Sequence, residues 1–205
     1  MDMEQLCEID QPREIDQYKN NRYVGRNRRL MHEWSAIDQR FRNDPDITYI
    51  IRKRNPDNLP VQYEIVFKVK SFCNIQEPDA NGLCLPVCAD VFRMHITIPN
   101  NYPAVDSKLE FKFITRDEQG NEIPHPWHPN IRFFGDFAGR VCLNTPACGT
   151  FTDLAWYVDR VMSYLRYEKY HALNTPPFPE DNKVAEWILE QAEPNGWIEK
   201  LRNEN

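Results

Sequence analysis

The sequence predicts an α+β fold: an N-terminal helix, a four-stranded antiparallel β-meander, a long irregular segment holding the site, and C-terminal helices. Three observations predict it. Apolar residues recur at helical spacing near the start and again near the end; four segments between them alternate apolar and polar residues; and no helical stretch separates one alternating segment from the next. A chain of 205 residues, 41% of them hydrophobic, suits one compact domain with an extension.

Residues 1–22 are rich in Asp, Glu, Gln and Asn and read as an N-terminal extension with room for a short helix, leaving 23–205 as the domain. From Val24 to Arg42 the residues Leu30, Trp34, Ile37 and Phe41 form one apolar stripe. Arg26, Arg28, Arg29, Arg40 and Arg42 fall on or near its exposed side, as a solvated face or a partner-docking one. Strands follow over Thr48 to Arg54; over Val61, Tyr63, Ile65, Phe67 and Val69; over Phe92, Met94, Ile96 and Ile98; and over Leu109, Phe111 and Phe113. Without a crossover helix, antiparallel pairing is the natural topology. Residues 71–88, with Pro78, Gly82 and Pro86, read as a long connection, flexible or functional. From Thr115 to Thr150 periodicity stops while Pro, His, Gly, Asn and aromatic residues accumulate, which marks a site. Leu154, Val158, Val161 and Leu165 then predict a helix with Thr152 as its cap and Asp153 in its first turn. After three prolines between Asn174 and Pro179, a last helical stretch starts near Asp181 with Val184, Trp187 and Ile188 inward. Pro194, Asn195 and Gly196 interrupt it before Trp197 and Leu201.

A net charge of -6 argues against a nucleic-acid binder driven by a broad basic surface. No apolar run reaches the length of a bilayer, and the acidic start MDMEQLCEID is unlike a secretory signal, so the expectation is a cytoplasmic protein away from membranes. Six cysteines read as free thiols. A zinc reading competes: Cys84 and Cys88 form a C-x3-C, Cys142 and Cys148 a C-x5-C, with His95, His125 and His128 between. Structural zinc sites usually show tighter paired knuckles, and Cys88 opens a strand-like stretch.

Residues 125–144 read HPWHPNIRFFGDFAGRVCLN. This resembles the active-site segment of ubiquitin-conjugating enzymes, in which a His-Pro-Asn tripeptide precedes a Gly-x-x-Cys-Leu sequence holding the thioester cysteine. The matching residues are His128, Pro129 and Asn130, then Gly139, Cys142 and Leu143. Ile98 to Pro103 is similar to the family's strand-ending I-P-x-x-Y-P run, and Phe111 stands where the next strand carries an aromatic. The resemblance spans roughly residues 26 to 200 in the family's element order. Two departures stand out: the stretch between Asn130 and Cys142 is several residues longer, and TPACGTFTDLAW replaces the tryptophan-containing turn after the cysteine. They resemble a divergent branch found in bacterial operons that also encode ubiquitin-like proteins, activating enzymes and peptidases.

The resemblance implies an enzyme whose Cys142 accepts a ubiquitin-like protein as a thioester from an ATP-dependent activating enzyme and passes it to an amine on a target protein. It implies no cofactor. Cysteine suits the task because a thiolate is both a strong nucleophile and a good leaving group. Its ordinary pKa of about 8.5 asks for a nearby cation, and Arg140 is the nearest in sequence. Asn130 resembles the residue that stabilises the oxyanion, with bracing of the loop as its other reading. His128 is a loop-locking hydrogen-bond partner or a general base. Glu180 and Asp181 either position the incoming lysine or cap a helix. Cys148 is a second thiol or a bystander. Arg26, Arg28 and Arg29 lie on the helix that meets the activating enzyme in the family and are candidate docking residues. The competing function is a noncatalytic module of the same fold that binds a ubiquitin-like protein or a conjugation partner.

Overall fold

The computed structural model describes residues 14–143 and 152–205. Its elements are α1 (Gly25–Phe41), β1 (Ile47–Arg54), β2 (Pro60–Ile75), β3 (Pro86–Thr97), β4 (Glu110–Phe113), α2 (Leu154–Leu165), α3 (Asn182–Trp187) and α4 (Trp197–Glu204). A 3₁₀ turn over Glu14–Gln17 precedes α1, and a π-helical turn over Ile188–Ala192 continues α3. The strands form one antiparallel sheet in the order β1-β2-β3-β4. No described helix is long and apolar enough to cross a membrane.

Register follows the alternation: Ile51 faces Tyr63, Tyr63 faces Ile96, Phe67 faces Phe92, and Ile96 faces Phe111. One sheet face buries Tyr63, Ile65, Phe67, Phe92, Met94, Ile96, Phe111 and Phe113. Onto that core pack Leu30, Trp34, Ile37 and Phe41 of α1 and Leu154, Val158, Val161 and Leu165 of α2. Both predicted stripes are therefore inward faces. Ile15, in the segment read as an extension, is buried in the same core, and Tyr18 packs on Trp34 at 5.5 Å.

Two expectations are corrected. Residues 71–88 are not a loose connection, because β2 runs on to Ile75 and β3 begins at Pro86, with Phe72 paired to Cys88. The reason is a second layer that covers this ribbon. Phe72 packs on Tyr167 and Trp187, and the Ser71 hydroxyl donates to Leu165 O at 2.7 Å. Pro86 is tolerated as the first residue of its strand. The cap of α2 is Asp153 rather than Thr152: its carboxylate accepts from Trp156 N–H at 2.9 Å. One residue's shift places the stronger capping side chain where the orphan N–H groups are.

The second layer is a smaller core of Phe72, Trp127, Tyr167, Val184, Trp187, Ile188, Ile198 and Leu201. The site lies along the seam between it and the main core.

Candidate active site

The segment from Ile131 to Cys142 is a short hairpin laid along the sheet. Ile131 bridges Val141, and Lys112 of β4 bridges Arg140. Arg132 N–H donates to Arg140 O and Gly139 N–H to Arg132 O, both at 2.8 Å. On the other side Phe113 N–H donates to Gly139 O at 2.8 Å and Val141 N–H to Phe111 O at 3.0 Å, so the hairpin takes up the free edge of β4. Gly139 has φ 88°, and a Cβ there would run into the carbonyl of Phe113. The glycine before the cysteine is thus required by the approach of two backbones. The extra length of this stretch is the hairpin's loop, residues 133–138, where Phe133 and Phe134 stack edge-on against Trp127.

This hairpin brings Cys142 to the His-Pro-Asn tripeptide. Cys142 N–H donates to Asn130 O at 2.8 Å, and Cys142 O accepts from the Tyr164 hydroxyl of α2 at 3.4 Å. Asn130 is 3% exposed. Its Oδ1 accepts from His171 N–H at 3.0 Å. A backbone N–H can meet only the oxygen of the amide, so this bond fixes the amide's orientation and leaves the two donors of Nδ2 for another acceptor. Asn130 lines a cleft of about 510 Å³ with Tyr164, His171 and Pro177.

His128 is fully buried, with Nδ1 accepting from Asn130 N–H at 3.1 Å, which leaves its proton on Nε2. The ring stacks on Tyr164 at 4.9 Å and meets Tyr167 edge-on. Burial pushes its pKa down to about 3; the Lys169 backbone opposes this without completing a full hydrogen bond to Nε2. With its one basic nitrogen committed to Asn130 N–H and the ring buried away from solvent, His128 fits a lock on the loop rather than a base.

Asp181 is a node between elements. Oδ1 caps α3 through Lys183 and Val184 N–H, at 3.2 and 3.4 Å, while Oδ2 accepts from Phe133 and Phe134 N–H at 3.0 and 3.4 Å. Glu180 pairs with Arg140, whose guanidinium also lies over the Phe137 ring at 4.7 Å. Arg140 shares the hairpin face of Cys142, two residues away, yet its charge is met by Glu180. His125 stacks on Phe133 at 4.2 Å. Its pKa is lowered by burial, against a contact with Phe133 O.

The three docking candidates separate. Arg28 is exposed, and Arg26 reaches Pro99 O at 3.3 Å. Arg29 turns inward: Nε lies 2.5 Å from Glu33 and 3.0 Å from the Tyr102 hydroxyl, and Nη2 donates to Thr152 O at 2.6 Å. Burial works to lower its pKa, but Glu33 and Tyr102 outweigh it and the value is raised. Among the described residues no three or more His, Cys, Asp or Glu side chains gather as metal ligands. Cys148 lies outside the described residues.

Tyr164, His171 and Glu33 were missed from the sequence. Tyr164 sits beside the apolar stripe of α2 with nothing to set it apart, His171 contributes only its backbone, and Glu33 falls among exposed-looking charges on α1.

No family model matches the sequence, and no curated protein does. Solved structures do. The H. polymorpha ubiquitin conjugating enzyme Pex4p, solved in complex with the soluble domain of Pex22p, aligns at 16% identity and TM-score 0.52 over 88% of this chain and 96% of that one. A Toxoplasma gondii ubiquitin conjugating enzyme E2 domain aligns at 17% identity and TM-score 0.44 over 86% and 93%. Human ubiquitin-conjugating enzyme E2 G1 aligns at 20% identity and TM-score 0.39 over 70% and 98%. The first of these establishes the architecture as the fold of ubiquitin-conjugating enzymes.

Proposed function

We infer that this chain, which has the fold of ubiquitin-conjugating enzymes, is itself a conjugating enzyme working through a thioester on Cys142. The single observation that carries the reading is the pairing of Cys142 with Asn130. A backbone hydrogen bond holds the two residues side by side, and the bond from His171 N–H to Oδ1 fixes the orientation of the Asn130 amide.

In the first step the Cys142 thiolate attacks the carbonyl carbon at the C-terminus of a ubiquitin-like protein held as a thioester on an activating enzyme. A new C–S bond forms, the old one breaks, and the activating enzyme leaves as its thiolate. In the second step an amine of the target attacks the same carbon. Negative charge collects on the carbonyl oxygen, where Nδ2 of Asn130 donates; the C–S bond then breaks, the amine's proton is lost, and the Cys142 thiol is restored. ATP is spent on the activating enzyme, so this chain needs neither metal nor nucleotide. Arg26 and Arg28 on α1 remain the docking candidates; Arg28 is exposed, which suits a role in encounter, whereas Arg26 is half-buried against Pro99 O. Glu180 lies beside the hairpin as the candidate that positions the lysine.

The test is incubation with an activating enzyme, ATP and a ubiquitin-like protein, read by non-reducing gel and intact mass. A thiol-labile adduct present in wild type and in Cys148→Ala but absent in Cys142→Ala is expected. An activating enzyme that charges normally while this chain stays free would move the reading to a noncatalytic binding module. Asn130→Asp separates the two roles of Asn130, because it keeps an oxygen for His171 N–H and loses the donors. It should form the thioester and discharge it to lysine about 100-fold more slowly; discharge at the wild-type rate would leave Asn130 with bracing alone.

A further inference from the structure

Glu33 is a buried carboxylate on α1 that the transfer chemistry above does not use. Its Oε1 accepts from Arg29 Nε and from the Tyr102 hydroxyl, and its Oε2 accepts from Leu154 N–H at 2.7 Å. Arg29, one turn earlier, donates to Thr152 O at 2.6 Å. An i,i+4 ion pair on one helix therefore grips the entry of another, Arg29 by a carbonyl and Glu33 by the first amide of α2. The grip is chemically matched: the carboxylate meets an orphan N–H at the positive end of α2. Tyr102 ties the same carboxylate to the turn after β3, so Glu33 joins three elements at one point.

The far end of α2 carries the consequence. Tyr164, ten residues after Leu154 on the same helix, donates to Cys142 O at 3.4 Å and stacks on His128, whose Nδ1 holds Asn130 N–H at 3.1 Å. A helix is stiff along its axis, so fixing its first amide fixes where Tyr164 stands.

We propose that Glu33, with Arg29, is a positioning residue for transfer: the pair holds the start of α2 against α1, and α2 in turn sets Tyr164 against Cys142 and His128. The inference rests on the reading of Cys142 as the thioester carrier. It also assigns Arg29 differently from Arg28. Both lie on the helix expected to face an activating enzyme, but Arg28 offers a charge to a partner while Arg29 transmits the helix's position to the site. Displacing the reacting cysteine by a fraction of an ångström costs rate without costing binding.

The experiment compares Glu33→Gln, Arg29→Lys, Tyr164→Phe and Arg28→Ala in the full chain, each verified as folded by circular dichroism and thermal melt. Two readouts are used. Thioester formation is measured against activating-enzyme concentration, and alkylation of Cys142 by iodoacetamide is followed by peptide mass in the chain alone. Glu33→Gln and Arg29→Lys should lower kcat about 10-fold with KM unchanged and alter Cys142 alkylation about threefold. Arg28→Ala should raise KM and leave both kcat and alkylation alone. Glu33→Gln and Tyr164→Phe should be non-additive, because they act on one chain of contacts. Should Glu33→Gln fail to fold, Arg29→Lys and Tyr164→Phe carry the comparison. Wild-type kcat and alkylation in the folded variants, or strict additivity, would overturn the positioning role. Absence of any wild-type adduct would overturn the carrier reading instead, while the alkylation arm still judges the clamp.

Discussion

Burial holds the His128 ring neutral, moving its pKa from an ordinary 6.5 down to about 3. Since the folded value lies below the unfolded one, the unfolded chain takes up the proton first as pH falls. The stability tied to the neutral ring is fully present above pH 6.5 and is lost as pH drops from there toward 3, at up to about 1.4 kcal/mol per pH unit. Urea denaturation at about pH 7 and about pH 5 should therefore differ by about 2 kcal/mol on this account, and His128→Gln should flatten that difference. Nitrogen chemical shifts of the ring should report the Nε2–H tautomer at both pH values. A ring that titrates near its ordinary value would refute the lock and reopen the general-base reading. Cys142, Asn130 and His128 were singled out in the sequence by the resemblance their types and spacing carry, and the structure brings the three together. Tyr164, His171 and Glu33 were not: they act through a ring face, a backbone N–H and a buried carboxylate, none of which is marked by residue type.

Asp181 joins two elements, and the cost of losing it should show both bonds. Asp181→Ala removes the cap of α3, about 1 kcal/mol, and strands the Phe133 N–H, about 1 to 3 kcal/mol more. Glu180→Ala breaks an ion pair whose Arg140 side chain is 50% exposed, so it should cost under about 1 kcal/mol. Urea melts of the two variants measure the contrast, and equal losses would mean that the cap does not hold the hairpin. The same comparison shows what was readable at this scale. The stripes of α1 and α2 and the alternation of four strands gave their buried faces directly, since a period of 3.6 or 2 sets like residues on one face. Residues 71–88 misled because the ribbon's cover comes from Tyr167 and Trp187, more than 90 residues after the Phe72 they pack on. A strand covered by a distant layer needs no alternation of its own beyond Phe72 and its neighbours. The extra length before Cys142 was visible as a departure, but its form was not, because a hairpin with its ends tied to β4 depends on the sheet edge being vacant.

The molecule as a whole has two cores, and the candidate site draws on both. Ile131, Val141 and Leu143 belong to the main core with the sheet, α1 and α2, whereas Trp127 belongs to the second with α3 and α4. His128 spans the seam, with Tyr164 on one side and Tyr167 on the other. Arg202 of α4 donates to Tyr167 O at 2.9 Å, so the last helix is bonded to a residue whose ring meets His128. Leu201→Ala, which opens a cavity in the second core, should cost about 2 to 5 kcal/mol. The loss should not be shared evenly. Amide exchange is expected to quicken at His171, whose N–H is held by Asn130, and at Trp127, bonded to Phe72 O at 2.8 Å. Ile65 and Phe67 in the centre of β2 should keep their protection, because the sheet and the two helices on it lose no contact. Uniform acceleration at all four amides would mean one cooperative unit, in which the site cannot loosen without global unfolding. Selective acceleration would mean that the brace on Asn130 yields before the sheet does, so that a substitution remote from Cys142 could slow the proposed transfer while leaving the chain folded.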